Sequence, residues 1–116
     1  MTSKMRSISF SLTTPQFLDG SKDVTRRLGW LFLKPGSQLC AVEKAMGLKK
    51  GERHRVLGII EVVDVSRVVL KDIDQDDCRR EGFPDMAPAD FVEFFCKGHV
   101  GCGPESTVTR IEFRRI

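Results

Sequence analysis

A lysine, a hydroxyl and two guanidinium groups crowd into the stretch Gly20-Ser21-Lys22-Asp23-Val24-Thr25-Arg26-Arg27. Lys22 and Thr25 stand three apart, and Arg26 and Arg27 follow at once. Gly20 has no Cβ and suits a chain reversal at positive φ. If the residues after it extend as a strand, Thr25 and Arg27 share one face and Arg26 takes the other. Gathered on one spot, these groups suit a phosphate or an oxyanion. Arginine offers a bidentate fork, and lysine a compact charge whose pKa falls readily when desolvated. The spacing alone also fits a set of solvated surface residues after a turn.

Three other groupings carry possible chemistry. Cys96-Lys97-Gly98-His99-Val100-Gly101-Cys102 is a Cys-x-x-His-x-x-Cys array. Thiolate and imidazole suit zinc, but a structural zinc site takes four ligands. The fourth would be Cys40 or Cys78, brought in by the fold. The expectation is no metal and no cofactor, with Cys96 a buried thiol at a helix end and His99 an exposed loop residue. Lys49-Lys50-Gly51-Glu52-Arg53-His54-Arg55 is a basic loop. It reads either as a solvated hairpin tip or as a cationic arm, with Lys49, Lys50 and Arg53 meeting a phosphate backbone. Trp30 is either a core anchor or a platform for stacking a base.

The elements that must position these groups follow from composition and pattern. The chain has 116 residues, 41% apolar and 30% charged, which fits one globular domain over residues 1–116 and excludes a disordered or fibrous chain. No stretch approaches the roughly 20 consecutive apolar residues of a membrane span. Met1 to Arg6 is polar, so the expectation is a cytoplasmic protein whose four cysteines are thiols. The net charge of +3 does not by itself diagnose nucleic-acid binding.

Ile8, Phe10 and Leu12 alternate with serines, the pattern of a half-buried strand within Met5 to Leu12. Thr13 or Thr14 can cap a short helix with Pro15 just inside it, ending at Gly20. Lys34-Pro35-Gly36-Ser37 is a turn, and Gln38 to Lys44 a strand. Arg55 to Val65 is the longest β-branched run and predicts a central strand, with Gly58 a bulge or close-approach point. Ser66 to Leu70 either continues it or forms another short strand. Asp74 caps a helix to Arg80, acidic in its first turn and basic in its last, stopped by Glu81-Gly82-Phe83-Pro84. Pro88 to Lys97 is a second helix, with Phe91, Phe94 and Phe95 on one stripe that reads as core. Ser106 to Ile116 is a closing strand. Strands without a regular βαβ rhythm argue for an α+β fold, a small mixed β-barrel with two to three short flanking helices.

Several of these pieces, taken in order, resemble the ASCH family, whose fold is similar to the PUA RNA-binding domain. Gly20 to Arg27 is similar to the family's Gly-x-Lys-x-x-Thr/Ser-x-Arg. Leu33-Lys34-Pro35-Gly36-Ser37-Gln38-Leu39 resembles its turn into a strand, Glu81-Gly82-Phe83 its Glu-Gly-Phe after the helix, and Val108 to Phe113 its last strand. The resemblance implies a PUA-like barrel and an RNA-derived ligand: a nucleoside, a nucleotide or RNA. The family includes an amidohydrolase that deacetylates N(4)-acetylcytidine, using lysine as proton acceptor, threonine as nucleophile and glutamate as proton donor. Those roles fall on Lys22, Thr25 and Glu81, with Arg27 at a ligand-contact position; Arg26, by its charge, and Trp30, by its ring, are expected ligand contacts beside them. The same resemblance also implies two alternatives, a non-catalytic RNA-binding module linked to translation and a metal-independent ribonuclease. The chain departs from the amidohydrolase in a longer, more basic loop from Lys44 to Arg55 and in the added segment Cys96 to Pro104.

Overall fold

Ile8 and Phe10 turn their side chains into the interior from a short strand β1 (Ser7–Ser9) and its continuation. The computed structural model describes residues 5–44 and 55–116. Leu12, expected on the same buried face, is exposed, because the chain leaves the strand before reaching it. It turns instead into helix α1 (Thr14–Asp19), with Pro15 in its first turn and Gly20 at φ 84° behind it. The hydroxyl of Thr14 donates to the Phe10 carbonyl at 2.8 Å, while Thr13 makes no side-chain cap.

Four more strands complete one sheet: β2 (Val24–Arg27), β3 (Gln38–Val42), β4 (Val56–Val69) and β5 (Thr107–Arg115). Their order is β1-β3-β4-β5-β2, with β1 parallel to β3 and every other pair antiparallel. Among the described residues, the sheet curls into a half-barrel flanked by three helices, an α+β fold of the expected kind. Ser66 to Val69 continues β4 without a break. A register shift between Val62 and Asp64 lets this long strand bend with the curl. A second shift falls opposite Gly58, between Ala41 and Val42 on β3.

A short 3-10 turn (Leu70–Asp72) leads to α2 (Gln75–Arg80). The Asp74 carboxylate accepts from the Asp77 N–H at 2.8 Å, the expected cap, and the acidic first turn and basic last turn match the helix dipole. Gly82 ends this segment at φ 103°, where a Cβ would lie 3.1 Å from Gln16 Cβ. Helix α3 (Pro88–Lys97) follows as expected and buries Phe91, Val92 and Phe95.

Two apolar clusters hold these parts together. One packs Phe10, Phe17 and Phe113 with Leu39, Ile60, Val62 and Ile111. The other packs Phe91, Phe95 and Val92 of α3 onto Leu70, Ile73, Cys78 and Val108. Each such side chain contributes about 1.5–3 kcal/mol on burial. No helix among the described residues is long and apolar enough to cross a membrane.

Candidate active site

The turn from α1 into β2 delivers Lys22. Its backbone N–H donates to the Gln16 carbonyl at 3.1 Å, and the Asp23 N–H to the Arg80 carbonyl at 3.0 Å. The first bond ties the turn back to α1, and the second stitches it to the last residue of α2. Glu81 sits there, its N–H donating to the Asp77 carbonyl at 2.8 Å. Lys22 and Glu81 are 59 positions apart in sequence, yet Lys22 Nζ lies 3.3 Å from Glu81 Oε1. Along β2 the expected alternation holds. Arg27 Nε donates to Thr25 Oγ1 at 3.0 Å on one face, while Arg26 reaches the α2 side.

The charges are buried and mutually matched. The Lys22 ammonium donates to the carbonyls of Val24 (2.9 Å) and Glu81 (2.7 Å) as well as to Glu81 Oε1, which uses its three protons. Arg26 donates to Glu81 Oε2 at 3.0 Å and to Asp77 Oδ2 at 2.6 Å. Arg110 grips both oxygens of Asp77 at 2.7 and 3.0 Å. Arg26 Nε is buried without a partner. Arg27 places its other end on the Ser9 carbonyl at 2.6 Å.

Burial pushes the Lys22 pKa down, assisted by Arg27 and Arg26 and opposed by the Glu81 carboxylate. Burial likewise disfavours the charge on Arg27. The Arg110 hydrogen bonds hold the Asp77 carboxyl at about 2, against an ordinary 3.8. Lys22 is thus a lysine with a reason to give up its proton, in hydrogen-bond contact with the Glu81 carboxylate.

Lys22, Thr25, Arg26, Arg27 and Glu81 all line one cleft of about 190 Å³. The opposite wall was not legible as such in the sequence. It consists of Phe83, Phe91, Phe94, Phe95 and His99, with residues 9–13 at a third side. Phe91 and Phe95 are core residues, and the same rings also form a wall of the cleft. His99 is half-buried, not exposed, because its ring stacks on Phe95 at 4.1 Å. Its Nδ1 is 2.8 Å from the Phe95 carbonyl, which can only accept, so Nδ1 carries the proton and Nε2 is the acceptor of the neutral ring. The Phe91/Phe94/Phe95 spacing, read together with Phe83 two residues after Glu81, was the available signal for this wall.

Trp30 does not line the cleft. It packs beside the first apolar cluster and against Phe32, at φ 54°. Lys49, Lys50 and Arg53 lie outside the described residues. Cys96 and Cys102 come together, but His99 turns to Phe95, and no group of three metal-ligating side chains forms among the described residues.

The curled five-stranded sheet and its flanking helices are those of an ASCH-like fold. The crystal structure of an ASCH domain from Lactobacillus crispatus JV V101 superposes with a TM-score of 0.71 at 17% identity, covering 97% of this chain and 79% of that one. A crystal structure from Enterococcus faecalis V583, described under the family model DUF984, gives a TM-score of 0.72 at 12% identity, covering 100% of this chain and 83% of that one. At these identities the likeness establishes the fold. No family model and no curated protein matches the sequence.

Proposed function

We propose that the cleft binds an RNA-derived ligand of nucleoside size and hydrolyses the amide of an acylated cytidine. The observation that carries this reading is the meeting of Lys22, Thr25 and Glu81 in one small cleft, with Lys22 and Glu81 in hydrogen-bond contact. At about 190 Å³ the cleft is smaller than the roughly 300–1,000 Å³ of drug-sized sites, which suits a single base or acyl group better than a polymer. Its aromatic wall offers a face for a flat ring, and its cationic wall offers donors for a carbonyl or an oxyanion.

The reaction needs a base, a nucleophile and an acid. Moving one proton from Lys22 to Glu81 across 3.3 Å leaves their total charge unchanged and creates both an amine and a carboxylic acid. Burial of Lys22 favours release of that proton. The Lys22 amine takes the proton of the Thr25 hydroxyl as Oγ1 attacks the acyl carbonyl. The Arg27 guanidinium, already donating to Oγ1, stabilises negative charge as it develops. Glu81 protonates the departing cytidine nitrogen, and the C–N bond breaks. Water then hydrolyses the Thr25 ester and restores the resting chain.

Equilibrium binding tests the ligand class. Titrating N(4)-acetylcytidine into the full chain should give saturable binding, weakened at least about ten-fold in Arg27→Ala, the loss of roughly one charge-assisted hydrogen bond. Tight binding of RNA with a steep salt dependence, and no nucleoside binding at millimolar concentration, would favour the RNA-binding alternative instead.

A further inference from the structure

The Cys-x-x-His-x-x-Cys segment takes no part in the chemistry above, and its geometry is that of a dithiol. Cys96 lies in the last turn of α3, and the chain returns to it at Cys102. The Cys96 thiol donates to Cys102 Sγ across 3.8 Å. A disulfide is about 2.05 Å long, so the two sulfurs need to close by less than about 2 Å. Backbone bonds hold the intervening loop in place. Gly98 N–H donates to the Phe95 carbonyl at 3.1 Å, His99 N–H to that of Cys96 at 3.2 Å, and Cys102 N–H to that of His99 at 3.1 Å. Gly101 turns the loop at φ 80°, a backbone conformation that glycine adopts without strain.

The pair is also reachable. Both thiols are half-buried and border a recess of about 420 Å³ shared with Ala89, Val92 and Pro104. The other two cysteines are placed differently: Cys78 is wholly buried in the second apolar cluster, and Cys40 lies on β3.

We propose that Cys96 and Cys102 form a reversible thiol–disulfide site, oxidised by a small disulfide of the glutathione class. One thiolate of the pair attacks a sulfur of the reagent, forming a mixed disulfide and releasing one thiolate. The second cysteine thiolate then attacks the protein sulfur of that mixed disulfide and expels the other half of the reagent. Two cysteine thiols become one disulfide, and the reagent leaves as two thiols carrying the two protons. Closure ties the segment that carries His99 to the end of α3, at the wall of the cleft.

Trypsin cuts after Lys97, which separates Cys96 (residues 81–97) from Cys102 (residues 98–110). After exposure to oxidised glutathione and alkylation of open thiols, the two peptides should travel as one species that dithiothreitol splits. The folded chain should close the bridge at least ten-fold faster than the same chain in urea. In Cys102→Ser, Cys96 should end as a mixed disulfide or alkylated. The proposal is overturned if the two peptides stay separate, if bridges to Cys40 or Cys78 predominate, or if folding brings no rate advantage.

Discussion

Asp77 should be the acid-sensitive support of the site. It accepts from Arg26 Nη2 and is gripped by Arg110, so it fixes the guanidinium that in turn holds Glu81. Its carboxyl is lowered from 3.8 to about 2. That depression is worth about 2.4 kcal/mol at about 1.36 kcal/mol per pH unit, and about 1–2 kcal/mol once solvent screening of a partly exposed group is allowed for. The sign follows from a lowered carboxylate. The folded state binds fewer protons than the unfolded one, so the contribution is fully present above about pH 4 and is lost as pH falls toward 2. Asp77→Asn keeps the shape and removes the charge. Urea unfolding at pH 7 should show the variant less stable by about 1–2 kcal/mol, and the gap should shrink as both proteins are acidified toward pH 2. A gap that stays constant over that range would refute the role of the Asp77 charge.

Three further outcomes follow from the same contacts. Gly82→Ala places a Cβ at φ 103° and 3.1 Å from Gln16 Cβ, so urea or thermal unfolding should show a loss of about 2 kcal/mol. Asp74→Ala removes the acceptor for the Asp77 N–H, and should cost about 1 kcal/mol of stability without changing the pH dependence that Asp77 supplies. Because Lys22 and Glu81 share one proton in the reaction and burial lowers the Lys22 pKa, the deacylation rate should fall with rising pH along a limb lying below the ordinary 10.5 of lysine, and a rate that keeps rising through this region would contradict the shared proton.

What the sequence made legible was mostly local. Asp74 as a cap, Gly82 as a stop, Pro88 opening α3 and the alternation of Thr25 against Arg26 each depend on a few neighbouring residues, and all are present in the structure. Long-range meetings needed the fold. Lys22 and Glu81 are close because the turn into β2 hydrogen-bonds to the end of α2, a tie between backbone groups that no side-chain pattern encodes. The Arg26–Asp77–Arg110 network likewise joins β2, α2 and β5. The Phe91 stripe has the helical spacing of a core face, and Phe91 and Phe95 are buried there, but Phe94 is exposed. That the stripe also walls a cleft depends on where α3 comes to rest. Ser66 to Val69 gave no turn signal strong enough to end a strand, and β4 runs through it.

The central claim is that Lys22, Thr25 and Glu81 act together on one acyl group. Incubating the full chain with N(4)-acetylcytidine and following release of cytidine tests it most directly. The native chain should release cytidine and Thr25→Ala and Lys22→Ala should release none, with Thr25→Ala still binding the substrate. No release of cytidine by the native chain, or turnover that survives loss of the Thr25 hydroxyl, would contradict it.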